Sequence, residues 1–152
     1  MGKAKKYCYE YPRPALTVDI VVLTDEVKPR VLLIRRKADP FAGRWALPGG
    51  FVDEEEPLDA AARRELREET GIEAPTLEQV MAVGDPGRDP RGWTVTVVHR
   101  TVVKAKAVKP QAADDAAEVA WHPLDRLPEM AFDHGKVLER VRQSRRGQGR
   151  RH

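Results

Sequence analysis

Apolar residues along this chain gather into short β-branched runs and two stretches with helical spacing. Leu16 to Leu23 and Val31 to Ile34 are apolar runs joined through Asp25 to Pro29, the pattern of a hairpin. Leu77 to Val83 and Thr94 to Val103 are further strand candidates, and the second, TVTVVHRTVV, has strong β propensity. Glu118 to Trp121 reads as a short strand, and Phe132 to Arg142 as a helix with Val137, Leu138 and Val141 on its apolar side. These elements predict a mixed sheet flanked by helices, an α/β fold.

The clearest element is a helix over Leu58 to Thr70. Pro57 suits the first helical position and Gly71 the left-handed position just past the end. Between them lie Ala, Leu, Arg and Glu, strong helix formers, with no Pro or Gly.

At ~3.6 residues per turn, Glu65 and Glu69 fall one above the other, with Glu68 beside them. Charge runs on helices are usually solvated, and Arg64 lies four residues before Glu68 to offset it. Two features break that pattern. Like charges at (i, i+4) destabilise a helix by roughly 0.2–0.5 kcal/mol. Carboxylates in the last turn also meet the negative end of the macrodipole. A local rule broken twice points to a function, and Mg²⁺ or Mn²⁺ would reverse both penalties. The preceding Leu47-Pro48-Gly49-Gly50 reads as a turn whose paired glycines permit close backbone approach, so that a carbonyl there can serve as a further oxygen ligand.

The segment Gly49 to Ile72 resembles the signature of the Nudix hydrolases at every fixed position: Gly50, Glu56, Arg64, Glu65, Leu66, Glu68, Glu69, Gly71 and Ile72. The resemblance implies an α/β/α sandwich that hydrolyses a nucleoside diphosphate linked to another group. It implies Glu65, Glu68, Glu69 and the Gly49 carbonyl as metal-site groups, with Glu56 nearby. Arg64 would orient a glutamate of the cluster through a charge-assisted hydrogen bond. A homodimer is also implied, with the N-terminal strand region as an exchange element.

Composition adds limits. The 152 residues suit one domain, and Cys8, the single cysteine, allows no internal disulfide, which favours a reducing cytosol. No run of ~18 apolar residues exists to span a membrane. The net charge of +3 includes five arginines within residues 142–152; taking those five from +3 leaves −2 for residues 1–141. The expected organisation is a basic segment at 1–10, the catalytic domain at 11–142 and a basic, disordered tail at 143–152. Without interleaved aromatics this tail does not read as a nucleic-acid arm.

Substrate choice must lie outside the signature. Gly84 to Gly92 is a loop stiffened by prolines and glycines that carries Arg88 and Arg91, suited to phosphate or ribose recognition although its composition is also that of a plain turn. With Tyr11 to Asp19 and Ala131 to His134 it resembles the ADP-ribose pyrophosphatase branch. Arg36 and Arg44 are candidate phosphate contacts, and Trp45 either stacks on a base or closes the core. Relatives in the family carry an acidic ligand or general base near residues 111–121, for which Asp115 and Glu118 are the candidates, with solvation the alternative. His99, His122 and His134 read as structural. The expected reaction is Mg²⁺- or Mn²⁺-dependent hydrolysis of ADP-ribose to AMP and ribose 5-phosphate. Its rivals are a hydrolase of oxidised nucleoside triphosphates and a module that senses ADP-ribose without cleaving it.

Overall fold

The computed structural model describes residues 6–113 and 116–148, with side chains to residue 144. In chain order the elements are β1 (Ala15–Thr24), β2 (Arg30–Arg36), β3 (Trp45–Ala46), β4 (Gly49–Phe51), α1 (Leu58–Thr70), β5 (Glu78–Val83), β6 (Thr94–Val103), β7 (Ala116–Pro123) and α2 (His134–Gln148). A single 3-10 turn, Ala105–Ala107, follows β6.

β1 organises the molecule, because its residues from Thr17 to Thr24 are buried without interruption, as in a strand covered on both faces. Val18, Ile20 and Val22 point to one face, where they pack with Ala61, Ala62 and Leu66 of α1. Val21 and Leu23 point to the other and meet Val137, Leu138 and Val141 of α2. The period of two in β1 thus sorts its side chains between two helices, giving an α/β/α sandwich. Complete burial of Leu66 contributes roughly 1.5–3 kcal/mol.

The expected hairpin between the first two strands is not a continuous ladder. β1 and β2 pair only at Leu23↔Val31 and then diverge. β1 instead runs parallel to β6 over its whole length, from Ala15↔Thr94 to Thr24↔Val103, and β2 runs antiparallel to β7. Long-range pairing of two largely buried strands outweighs the local turn, which the short linker could not reveal. β4 fills the gap left by the divergence and pairs with β1 at Asp19↔Gly49, Val18↔Gly50 and Thr17↔Phe51.

The glycine segment is therefore partly strand and not simply a turn. Close approach is the reason for both glycines: a Cβ on Gly49 would collide with the Val18 carbonyl oxygen, and one on Gly50 would lie 2.6 Å from the Glu65 carboxyl. At α1, Pro57 sits just before the first helical residue, one position earlier than expected, with φ −59° and ψ 144°. Gly71 closes the helix at φ 74°, and its N–H donates to the Arg67 carbonyl. α2 begins at His134 instead of Phe132 and continues past Arg142 to Gln148, so the described part of the expected tail is helical. Residues 149–152 lie outside the described residues, as do Asp114 and Asp115.

Candidate active site

A cavity of about 510 Å³ opens where β1, β4 and α1 meet the loops before β6 and α2. One end is acidic, with Asp19, Glu65 and Glu69. The other is cationic and aromatic, with Arg36, Arg91, Phe51 and Phe132.

Arg64 organises the acidic end from within α1. Its Nε and Nη2 donate to the two carboxylate oxygens of Glu56 at 2.8 and 2.9 Å. Nη1 donates to Glu65 at 2.8 Å and Glu68 at 3.2 Å, and Nη2 also to the Phe51 carbonyl at 3.1 Å. All five guanidinium N–H groups find acceptors, which a lysine could not reproduce. These bonds hold the Glu56 carboxyl down at about 2.

Glu65 and Glu69 are different. Burial, chiefly, raises both, and Glu69 reaches about 8 because Glu65 and Asp19 add like charge. The Gly49 N–H donates to Glu69 Oε2 at 3.2 Å. Glu68 is 44% exposed at the rim, bonded to Arg64, and does not line the cavity. The three glutamates of the stripe are thus two in the cavity and one at its edge.

Oxygen-only donors and mutually repelling carboxylates fit a hard dication, which would reverse the penalty on Glu69. Among the described residues no three His, Cys, Asp or Glu draw together as a complete chelate. A cation here would complete its shell with main-chain oxygen, water and substrate phosphate, as Mg²⁺ commonly does.

The second end is assembled from distant segments. Arg91 is held by Asp89 through Nε at 3.1 Å and Nη2 at 2.8 Å, and its guanidinium lies 4.9 Å from the Phe51 ring and 5.1 Å from the Phe132 ring. Arg36 lies 4.9 Å from the Phe132 ring, and its Nε donates to the Pro40 carbonyl. Arg88 lines the wall, but its guanidinium is engaged by Asp133 in two parallel bonds of 2.9 and 2.8 Å, and the side chain is only 5% exposed. Two of its donors are thereby committed to bracing the loop.

Three further expectations do not reach the cavity. Arg44 pairs with Glu129 at 3.1 Å, and Trp45 packs on the core with its ring edge-on to His122. Glu118, on β7, faces Arg35 at 3.7 Å on the exposed surface. Strand direction carries Trp45 and Glu118 away from the site, and Arg44 lies in the bend before β3. Asp115 lies outside the described residues.

Asp19, Phe132 and His134 line the cavity without having been singled out as site residues. Asp19 had a signal, as the one charge inside the apolar run LTVDIVVL. It is 6% exposed, accepts from Thr96 Oγ1 at 2.6 Å and lies 3.6 Å from His134 Nε2. Phe132 has φ 51°, a left-handed conformation uncommon for an aromatic residue and one that marks functional segments.

A sandwich of this topology, with the signature helix against a glycine-floored strand, defines the class of phosphoanhydride hydrolase domains. The chain belongs to the NUDIX family, whose domain matches residues 13–141. It is 41% identical over 136 residues to the ADP-ribose pyrophosphatase of Methanocaldococcus jannaschii, covering 89% of this chain and 76% of that protein. It is 40% identical over 137 residues to the ADPR responsive transcriptional repressor NtrR of Acinetobacter baylyi, covering 87% of this chain but only about half, 54%, of the repressor. Among solved structures it resembles the NUDIX domain of Shewanella oneidensis NrtR complexed with ADP ribose, with TM-score 0.79 and 37% identity, covering 88% of this chain and 90% of that one.

Proposed function

We propose that this protein hydrolyses ADP-ribose to AMP and ribose 5-phosphate with Mg²⁺ or Mn²⁺. The observation that carries the reading is the two-ended cavity: buried Glu65 and Glu69 against the Gly49 strand at one end, paired guanidiniums and aromatic rings at the other. The 41% identity to an ADP-ribose pyrophosphatase supports the same substrate.

Glu65, Glu69 and the Gly49 carbonyl would hold the cation, with Glu68 at its outer side. When bound, the cation supplies charge neutralisation at the pyrophosphate and acidifies a water. The chain's own residues supply position: Arg64 fixes Glu56, Glu65 and Glu68, while Arg36, Arg91, Phe51 and Phe132 shape the end that receives the remainder of the substrate. Water adds to one phosphorus, the bridging P–O bond breaks, and each product leaves with a phosphate while the protons of water pass to solvent.

A second reading has its own support. The NtrR relative is an ADPR responsive repressor, so a domain of this kind can serve as an ADP-ribose sensor. The Glu65, Glu68 and Glu69 set favours cleavage over sensing in this chain. We further take the protein to be a cytosolic homodimer that does not bind nucleic acid. Among the described residues, no helix is long and apolar enough to cross a membrane.

The test is hydrolysis of ADP-ribose, NADH, ADP-glucose, diadenosine polyphosphates and oxidised deoxyguanosine triphosphate, with Mg²⁺, Mn²⁺ or chelator, with products separated by chromatography. Metal-dependent AMP and ribose 5-phosphate from ADP-ribose is the expected result. Preference for the triphosphate, with pyrophosphate released, would replace the substrate, and tight ADP-ribose binding without turnover would make the domain a sensor.

A further inference from the structure

The segment Ala131 to His134, which leads into α2, carries consecutive polar side chains aimed at two different walls of the cavity. Asp133 takes both Nε and Nη2 of Arg88, 45 residues earlier in the chain and in the middle of the Gly84 to Gly92 loop. Two parallel charge-assisted bonds in a nearly dry setting fix orientation as well as distance. That loop also presents Arg91, whose guanidinium lies beside Phe132.

His134 reaches the opposite wall. Its Nδ1 accepts the Leu47 N–H at 3.0 Å, 87 residues earlier and two residues before Gly49. With Nδ1 accepting, the neutral ring carries its proton on Nε2, the nitrogen that lies 3.6 Å from Asp19 Oδ1. Burial, above all, holds this imidazole below its usual pKa, consistent with that neutral tautomer. Asp19 is in turn anchored by Thr96 and pairs through its backbone with Gly49 across β1 and β4. The Ala131 N–H donates to the Trp45 carbonyl at 2.7 Å, tying the same segment to β3 just ahead of Leu47. Phe132 pays for its left-handed backbone between these anchors.

We propose that Asp133 and His134 are positioning residues for the reaction: a clamp that sets the substrate loop, through Arg88, and the Gly49 strand, through Leu47, at a fixed separation. The two arms act on different quantities. The Asp133 arm places Arg91 and governs substrate affinity, whereas the His134 arm places the Gly49 strand and governs cation binding and turnover. The inference rests on the hydrolase reading, and the experiment keeps the two apart.

The full chain is compared with Asp133→Asn, His134→Ala and His134→Asn. The readouts are amide hydrogen exchange at Leu47, Mn²⁺ affinity by electron paramagnetic resonance, and kcat and KM for ADP-ribose. His134→Ala is expected to unprotect the Leu47 amide and weaken Mn²⁺ roughly 10–100-fold, the range for groups that support a metal site, with kcat falling and KM little changed. His134→Asn, whose side-chain oxygen can accept the same N–H, recovers most of both. Asp133→Asn is expected to raise KM about tenfold while Mn²⁺ affinity and Leu47 protection stay at the parent level. Unchanged Mn²⁺ affinity in His134→Ala, or the same loss of every readout in both arms, overturns the clamp. Should His134→Ala or Asp133→Asn fail to fold, His134→Leu, which fills the space without an acceptor, and Arg88→Lys carry the same paired expectations. If the parent chain binds ADP-ribose without cleaving it, the hydrolase reading fails, and the dissociation constant for ADP-ribose replaces KM while Mn²⁺ affinity and exchange still decide the clamp.

Discussion

Arg64 and Arg88 secure opposite ends of one cavity by different routes. Arg64 spends all its donors on Glu56, Glu65, Glu68 and Phe51, all within 13 residues of it in the chain. Arg88 spends two on Asp133, 45 residues away. The glutamates of the metal end are thus held by contacts within one continuous segment, to which the fold adds Asp19 and His134, whereas the substrate end is assembled wholly by the fold. A local knot survives changes elsewhere, while a long-range strut makes its loop depend on α2 being docked.

The sharpest break in that comparison is Glu69→Gln. It removes one carboxylate from the cavity while keeping size and helix propensity, so the fold is expected to persist. Turnover should fall by more than the roughly 10–100-fold that supporting residues cost. Circular dichroism with single-turnover kinetics checks both statements, and near-parental turnover in a folded variant would remove Glu69 from the site.

Arg64→Ala comes next, because it leaves three carboxylates facing one another. We expect a loss of roughly 3 kcal/mol in urea unfolding, the low end for breaking a buried ion pair, since Arg64 keeps 20% exposure. Arg64→Lys should recover only part of this, since an ammonium cannot match the forked geometry. Full recovery with lysine would mean that charge alone, and not the five-bond fan, holds the knot.

These two ends also differ in how far they could be read before folding. The spacing of Arg64, Glu65, Glu68 and Glu69, the exit at Gly71 and the closeness implied by Gly49-Gly50 are all local, and the helix spans Leu58–Thr70 as expected, with Pro57 just outside it. The substrate end depends on which strands become neighbours. The short Asp25 to Pro29 linker suggested a hairpin, but β1 and β6 pair in parallel across an intervening helix. That pairing brings Thr96 to Asp19 at the acidic end, and α2 docking brings His134 to Leu47 there and Asp133 to Arg88 at the substrate end. Arg44 and Trp45 sat beside the signature in sequence, yet Arg44, in the bend before β3, pairs with Glu129, and Trp45, on β3, packs on the core. Proximity along the chain was a sound guide within a helix and a poor one across a sheet.

The metal end carries its own contrast in pH. Glu56, held at about 2, contributes stability that is present above the ordinary value of 4.5 and lost as pH falls towards 2. Glu69, raised to about 8, binds a proton more tightly folded than unfolded, so its contribution is complete below 4.5 and lost as pH rises through 8. Metal-free protein should therefore melt at lower temperature as pH rises from 6 to 9, and saturating Mn²⁺ should lessen that fall by occupying the carboxylates. Calorimetric scans across that range check it, and parallel curves with and without Mn²⁺ would detach the cation from Glu69.

The smallest effect separates the two arginines of the Gly84 to Gly92 loop. Arg91 is ion-paired to Asp89 within its own turn and still lies at the cavity. Removing it alone would strand the Asp89 carboxylate, 3% exposed, so the informative variant is Arg91→Ala with Asp89→Asn. That double variant keeps an acceptor for the residue-91 N–H and should leave the melting temperature near that of the parent while raising KM for ADP-ribose by about tenfold, ~1.4 kcal/mol. Arg88→Ala removes the strut and leaves the Asp133 carboxylate, 16% exposed, without it, so it should lower the melting temperature as well as raise KM. The ratio of the two responses is the informative quantity. A KM effect in Arg88→Ala with no thermal loss would make Arg88 a direct substrate contact. A thermal loss in the Arg91→Ala, Asp89→Asn double variant would make the Asp89 pair, and not Asp133, the fastening of the loop, and the substrate end would then be held by contacts as local as those around Arg64.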